Sequence, residues 1–499
     1  MKKVVIVGGG SAGWMSAAFL AKVLGASVQI TLLESKQIAT VGVGEATIPP
    51  IQLFNQLLGI SEPDFIAATQ ATFKLGIQFE HWGKINERYM HAFGPTGKQM
   101  GLTPFVHYWL RARAEGDNSV LGDYSFNSLA AKKQRFGQST KKAGPGNPSL
   151  VYAYHFDASA YAQLLKKYSL AQGVVHCEGT LADVQINALD GNIQTLKLTD
   201  GHTISGDLFI DCSGQRSLLL GQALKVPFES WQHWLPCNRA VAIQSDAQLA
   251  APFTRAIAHS NGWQWQIPLQ NRTGNGLVYA SDFCSDAQAI RTLEQHLPGN
   301  PITDPNVLSF KVGRYRDQWR NNCVAIGLAS GFLEPLESTS LHMVQSSLVR
   351  LAKLFPAQEI LATDVAEFNR QATLEAEGIR DFIILHYRQT QRQDSDFWRN
   401  IHSTPAPESL QDRIDTFLAS GYLARRNDEL FDENAWTQVL IGQGLIPKRY
   451  HVLAEQMPKS DLIVFLRSLR QQVDTFSETL SCHQSYVKNL VDKKVRNYA

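Results

Sequence analysis

Val4-Val5-Ile6-Val7-Gly8-Gly9-Gly10-Ser11-Ala12-Gly13 lies near the start of the chain, and its reading sets the fold. The four apolar residues have the pattern of a short buried strand, and a G-x-G-x-x-G turn follows at once. Residues 14–23 read as a helix and residues 27–33 as a second strand, which ends in Glu34. In this order Gly8 makes the tight turn, Gly10 lets a pyrophosphate approach the backbone, and Gly13 lets helix and strand pack closely. Glu34 is placed to accept a hydrogen bond from a ribose hydroxyl. A glycine turn alone says little. With strand, helix and acid in place it predicts a dinucleotide site in an α/β fold with a mainly parallel sheet.

The chain has 499 residues, enough for a large core and for more than one domain. Its net charge of +2 comes from intermixed signs, which gives no electrostatic footprint for nucleic acid or an anionic membrane. The six cysteines, Cys177, Cys212, Cys237, Cys284, Cys323 and Cys482, lie far apart, with no C-x-x-C pair to signal zinc or a disulfide framework. A reducing cytoplasm is the simplest home for them. Met1-Lys2-Lys3 has the look of a signal-peptide start, but the apolar run after it is four residues long and no cleavage site follows. No apolar run approaches the length that spans a bilayer.

Further on, Gly42-Val43-Gly44-Glu45-Ala46-Thr47-Ile48-Pro49 reads as a loop able to lie flat against a ligand, with Pro49 at the start of a helix. Residues 71–80 alternate: Phe73, Leu75, Ile77 and Phe79 share one face, and Lys74, Gly76, Gln78 and Glu80 the other. Two readings fit. One is a half-buried strand with Lys74 in solvent; the other is a wet internal cavity that holds Lys74, with Gly76 leaving room beside it. Periodicity does not choose between them. Aromatics and histidines cluster between Tyr89 and Trp109, which suits a core or an aromatic ligand. Residues 117–147, rich in Gly, Ser and Lys, read as a long surface excursion.

Asp157 is an N-cap for a helix that runs through Tyr168. Strands then recur at 174–178, 181–186, 195–198 and 208–211, the last ending in Asp211-Cys212-Ser213-Gly214. Asp211 is either a turn residue or a cofactor contact. In Trp263-Gln264-Trp265-Gln266-Ile267-Pro268 both tryptophans face one way, toward a core or a channel wall. A strand-like run at 322–328 leads to Gly331-Phe332-Leu333-Glu334-Pro335-Leu336-Glu337-Ser338-Thr339-Ser340 and a helix at 341–354. A strand-to-helix turn there would aim backbone N–H groups at an anion or one edge of a flat cofactor, with Glu337 at its rim. Beyond residue 355 the pattern is helical, with loops at Ser403-Thr404-Pro405 and Gly442-Gln443-Gly444 and no metal-ligand cluster at 471–485. Residues 1–354 are expected to form the cofactor-binding core with inserted antiparallel hairpins, and 355–499 a helical region capping the substrate site.

The glycine turn with Trp14, the 42–49 loop, Phe73-Lys74, Tyr154-His155-Phe156-Asp157, the Asp211 turn, the W-x-W-x-I-P stretch and the 332–339 segment together resemble the flavin-dependent halogenases related to tryptophan halogenase. The resemblance is close over residues 1–354 and looser beyond. It implies FAD, used as FADH2 and held by Gly8, Gly10, Ser11, Ala12, Gly13, Trp14, Glu34, Ala46, Leu181, Asp211, Leu328 and Leu341. It implies a separate flavin reductase as a transient partner, and chloride or bromide held at Thr339 and Ser340. Hypohalous acid made from halide and dioxygen would then travel an internal channel to Lys74. There the ammonium would polarise it, or the amine would form a haloamine. Glu337 would act beside Lys74, accept the ring proton and hold an indole N–H on its backbone carbonyl. The tryptophan pair would keep substrate away from the flavin, and His91 and Phe93 would form one aromatic wall against the indole. A homodimer is compatible with this family, and no nucleic-acid or membrane partner is expected.

Tryptophan halogenases carry a Tyr-Tyr-Glu segment that, with a further Glu and a Phe-Trp pair, grips the amino acid and the ring. The comparable region is Ala424-Arg425-Arg426-Asn427-Asp428-Glu429-Leu430-Phe431-Asp432-Glu433, which lacks the tyrosine pair. Phe431 and Trp436 are expected as the opposite wall. The expected substrate is therefore indole or another electron-rich arene without the amino-acid group, rather than free tryptophan. The family's Ser-Thr-Gly at the halide is Ser338-Thr339-Ser340, which leaves the halide open. Two other readings remain: a flavin monooxygenase acting on an aromatic ring, which gives Lys74 no part, and a non-catalytic flavin binder.

Overall fold

The computed structural model describes residues 2–35, 45–138, 149–425 and 429–498, with side chains to Lys493. Its contacts divide the chain into two compact units that interleave in sequence. The first comprises Met1–Ala71, Phe156–Asn238 and Ser309–Glu377, and the second Thr72–His155, Arg239–Leu308 and Gly378–Ala499. This division does not follow the expected boundary at residue 354, because each unit gathers strands and helices that lie far apart in sequence.

The first unit is built on a six-stranded sheet in the order Trp319–Arg320, Cys323–Ala325, Leu208–Asp211, Lys2–Val7, Val28–Glu34, Val175–Glu178. Its pairs are parallel except the one at the Trp319–Arg320 edge. Parallel strands are covered on both faces, and Val4 to Val7 are accordingly at most 4% exposed. The helix Ser11–Leu24 leaves the glycine turn and packs against Ala158–Ala171. Asp157 caps the second helix by accepting from Ala160 N–H, as expected. The expected hairpin strands form a small antiparallel sheet of Leu181–Ile186, Ile193–Leu198 and Thr203–Ser205. The run at 322–328 ends early: Cys323–Ala325 is a strand, but Gly327–Ala329 is a 3-10 turn with Gly327 at φ +69°. A Cβ on Gly327 would fall 2.9 Å from Ala12 Cβ, so the chain turns where it meets the first helix.

The second unit holds a seven-stranded sheet in the order Asn306–Ser309, Arg239–Asp246, Arg272–Tyr279, Gly262–Pro268, Thr254–His259, Gly76–Glu80, Arg88–Ala92. Thr254–His259 runs parallel to Gly76–Glu80 and antiparallel to Gly262–Pro268. The helices Asp396–Ser403, Glu408–Ser420, Glu433–Gly442, Lys459–Glu478 and His483–Tyr498 make the C-terminal region helical, as expected. Residues 117–138 are not a surface excursion. Phe126–Lys132 is a helix, Arg135–Phe136 pairs with Ser481–Cys482, and Tyr124, Ala130, Ala131 and Phe136 are buried. The serines that looked loop-like act as caps: Ser125 Oγ accepts from Ser128 N–H. Residues 139–148 lie outside the described chain.

Among the described residues no helix is long and apolar enough to cross a membrane, and no cluster of His, Cys, Asp and Glu could hold a metal ion. The six cysteines are free thiols.

Candidate active site

In the first unit, the glycines that open the fold are each held by a different contact. Gly8 has φ +121°, and a Cβ there would lie 2.2 Å from Cys212 O. A Cβ on Gly13 would lie 1.8 Å from Gly8 O, so helix and turn touch through it. Gly10 is different: nothing lies within 4 Å of a Cβ built there, and as N-cap it offers no side chain to the first turn of Ser11–Leu24. The space beside Gly10, at the N-terminus of this helix, lets an anion approach the backbone there, which fits the pyrophosphate of FAD. Glu34 ends its strand over Gly9, where a Cβ would be 2.3 Å from its Cδ. Its Oε2 is bonded by Lys166 Nζ at 3.0 Å and by His176 Nε2 at 2.9 Å, leaving Oε1 toward the turn for a ribose hydroxyl. The Trp14 side chain is buried, with its indole N–H unpartnered among the described residues.

Asp211 ends the strand Leu208–Asp211. It is fully buried, and its two oxygens accept from Ser213 N–H and Oγ–H and from Leu219 and Leu220 N–H. Burial pushes its carboxyl up while these bonds pull it down, and the net effect is upward. The side chain knits its own turn. Leu181 packs partly buried against the cluster around Leu33 and Leu198, Ala46 and Leu341 are buried, and Leu328 is exposed on its turn. Gly42, Val43 and Gly44 lie outside the described residues.

The 331–340 segment is more elaborate than a strand-to-helix turn. Gly331–Phe332 pairs with Gly313–Tyr315, Pro335–Glu337 is a 3-10 turn, Ser338 is left-handed at φ +60°, and Ser340–Lys353 is a helix. Glu337 is 1% exposed, so it does not hang at an exposed rim. Thr339 is the N-cap of the helix, and its hydroxyl is buried with no partner among the described residues. A buried, unpartnered hydroxyl beside the first-turn amides of a fourteen-residue helix fits a small anion, and Ser340 is the first residue of that helix.

In the second unit, Lys74 has no exposed surface, so the solvent-exposed reading fails. The expected single strand is two, Thr72–Lys74 and Gly76–Glu80, broken where Leu75 N–H turns to Pro252 O at 2.7 Å. Both faces are covered, so alternation gives no exposed face. Gly76 is small for its partner strand, since a Cβ would lie 2.4 Å from His91 O. Lys74 Nζ sits 5.3 Å from the centroid of the Phe93 ring, an attraction of about 0.5–2 kcal/mol.

His91 lies 5.5 Å from Phe382 and 6.2 Å from Phe431 between ring centroids. Phe382 stacks on Phe431 at 3.9 Å and meets Trp436 edge-on at 4.9 Å. Gln438 brings Trp436 here by bonding both N–H and C=O of Ala92, and Arg413 covers a face of Trp436 at 4.3 Å. Phe382 thus links His91, Phe431 and Trp436 into one aromatic cluster. Of the four expected wall residues, half-buried Phe93 faces Lys74. Phe382 is the residue the sequence reading missed; its signal is helical spacing with Ile379, Ile383 and His386, all buried. Trp265 fills the space over Gly276, where a Cβ would be 2.0 Å from its Cζ2, and Trp263 packs 6.3 Å from Trp82.

Residues 3–459 match the family model described as Tryptophan halogenase. The chain is 37% identical over 435 residues to the 7-chloro-L-tryptophan 6-halogenase KtzR of Kutzneria sp. (strain 744), spanning 83% of this chain and 84% of that one. It is similar to the solved structure of Xcc4156, a flavin-dependent halogenase from Xanthomonas campestris, at 46% identity and TM-score 0.95 over 98% of each chain. BrvH, a flavin-dependent halogenase from Brevundimonas sp. BAL3, is 40% identical with TM-score 0.93 over 98% of this chain and 99% of that one. With a glycine turn open to a pyrophosphate and a helix N-terminus open to a small anion, the chain belongs to the tryptophan halogenase family, flavin-dependent enzymes that use FADH2 and a halide.

Proposed function

We propose that this halogenase acts on indole or another electron-rich arene without the amino-acid group, using chloride or bromide, with Lys74 and Glu337 as its catalytic residues. The carrying observation is Lys74, a lysine with no exposed surface set against the ring of Phe93. A fully enclosed lysine beside an aromatic ring is the kind of placement found for functional amines. The chemistry that FADH2 supplies when bound, delivered by a separate flavin reductase, is the oxidation of halide by dioxygen to hypohalous acid and water. Thr339 and Ser340 would hold the halide at the helix N-terminus.

Lys74 would hydrogen-bond the oxygen of hypohalous acid. A new carbon–halogen bond forms from ring π electrons while the oxygen–halogen bond breaks. The departing hydroxide takes a proton from the ammonium and leaves as water, and the ring proton passes to Glu337. Exchange with solvent then restores both groups. Phe93 would orient the ring, with His91, Phe431 and Trp436 supporting it, and Trp263 and Trp265 would wall it off from the cofactor.

The substrate reading rests on the 424–433 region, which lacks the tyrosine pair. Its Glu429 is bonded by Arg413 at 2.6 Å, so that carboxylate is engaged within the chain rather than free to grip an amino group. The test is mass spectrometry of product from enzyme, FAD, a flavin reductase with NADH, oxygen and either bromide or chloride, with indole and tryptophan in parallel. A halide-dependent mass shift on indole and none on tryptophan is expected. Product from tryptophan alone overturns the substrate reading, and hydroxylated product without halide dependence overturns the proposed chemistry.

A further inference from the structure

The strand that carries Lys74 is three residues long and needs support from outside its own sheet. On one side it runs antiparallel to Ala153–Phe156, with Phe73 opposite Tyr154 and Lys74 opposite Ala153. On its other side Phe73 N–H donates to His483 Nε2 at 3.1 Å. His483 is 1% exposed and begins the last helix, 410 residues further along the chain. Its backbone N–H donates to Gln134 O at 3.0 Å, and the preceding Ser481–Cys482 pairs with Arg135–Phe136. Phe136 in turn stacks on the ring of Phe73 at 3.9 Å and 16°. Ring and amide of Phe73 are thus gripped by two neighbouring segments.

These contacts fix the state of the imidazole. A backbone N–H only donates, so His483 Nε2 carries no hydrogen. Its Nδ1 lies 2.6 Å from Ala250 O, which only accepts, so Nδ1 carries it. An imidazolium would place a proton on Nε2 against the Phe73 N–H and break the contact. Burial supports the neutral form by pulling His483 down to about 4.

A second imidazole repeats the logic one residue away. Thr72 Oγ donates to Pro268 O at 2.6 Å, so it accepts from His155 Nδ1–H at 3.1 Å, and His155 Nε2 accepts from Thr254 Oγ–H at 2.9 Å. The titratable groups facing His155 are Lys74 and His483, and both oppose a charge on it after burial itself. Two neutral imidazoles therefore hold the strand without adding positive charge beside Lys74.

We propose that His483 is a positioning residue of the halogenation: as a neutral imidazole it accepts Phe73 N–H, fixes the strand that aims Lys74, and ties turnover to the docking of the last helix. This rests on the reading of Lys74 as the group that engages hypohalous acid. A small displacement of a catalytic group costs rate without touching the cofactor chemistry.

The test compares His483→Phe, which removes the acceptor, with His483→Gln, whose amide accepts with oxygen, donates with nitrogen and cannot be protonated. Lys74→Met is run beside them. The readouts are kcat and KM for halogenated product on whichever of indole and tryptophan the wild type uses, the rate of flavin reoxidation, and the 15N tautomer of His483. The expected results are a kcat at least tenfold lower for His483→Phe with KM and flavin reoxidation within twofold, recovery to within threefold in His483→Gln, and an Nδ1–H tautomer in the wild type. An Nε2–H tautomer, wild-type kcat in His483→Phe, or a joint fall of product and flavin reoxidation that His483→Gln does not reverse would overturn the role of His483 alone. Product from Lys74→Met would instead sink the lysine assignment and the positioning role with it.

Discussion

At position 74 an alkyl stem and its amine are enclosed completely, one residue after Phe73 and against Phe93. Lys74→Met keeps most of the stem's volume and removes the amine, so the core should hold while chemistry fails. Halogenated product is expected to fall at least about 100-fold, with flavin reoxidation continuing, because oxygen reacts at the cofactor and not at Lys74. Glu337 is buried on the other unit, and Glu337→Gln preserves its shape while removing the base. Product formation by that variant should drop by roughly 100-fold in single-turnover assays, and an unchanged rate would remove Glu337 from the chemistry. The identities of both residues stood in the sequence, but their burial did not. Alternation at 71–80 allowed a lysine in solvent or one in an internal cavity, because pattern records which residues share a face and not what covers that face.

Among the elements, the turn from the first strand into the first helix separates packing from binding. Gly13→Ala would place a methyl 1.8 Å from Gly8 O, so it should cost on the order of 1–3 kcal/mol and lower both thermal stability and FAD affinity. Gly10→Ala meets nothing within 4 Å and has φ −78°, which alanine adopts freely. That variant should melt like the wild type yet bind FAD more weakly, as its methyl enters the space left for the pyrophosphate. Calorimetric melts and flavin fluorescence titrations would show it; a Gly10→Ala protein with wild-type FAD affinity would move the cofactor elsewhere. This turn was legible because each glycine answers a local demand. The 117–138 stretch was not, since Arg135–Phe136 becomes a strand only by pairing with Ser481–Cys482. At Asp211 the sequence left a turn residue and a cofactor contact both open, and its four internal donors show the turn.

Across the whole molecule, burial lowers His107, His259 and His483 each to about 4, and holds His155 well below its ordinary value as well. Their folded values lie below the unfolded value of about 6.5, so the unfolded chain takes up these protons first. Their contribution to stability is complete above about pH 6.5 and is lost as pH falls toward 4. The urea midpoint should be level between pH 8 and 7 and decline steadily from 6.5 to 5, and His483→Gln should flatten part of that decline. A midpoint that rises on acidification would contradict the neutral assignment of these side chains. By itself the sequence determined the dinucleotide fold, the caps and the helical C-terminal region, because these follow from short-range spacing, while the residues expected for halogenation came from resemblance to a family and not from spacing. Tertiary structure alone decided that Lys74 is enclosed, that Phe382 joins His91 to Phe431, that Asp211 is spent on its own turn, and that His483 reaches back to Phe73. Apart from the Asp211 turn, whose donors are local, each depends on contact between segments tens to hundreds of residues apart, and side-chain patterning along one segment carries no record of what the fold brings against it.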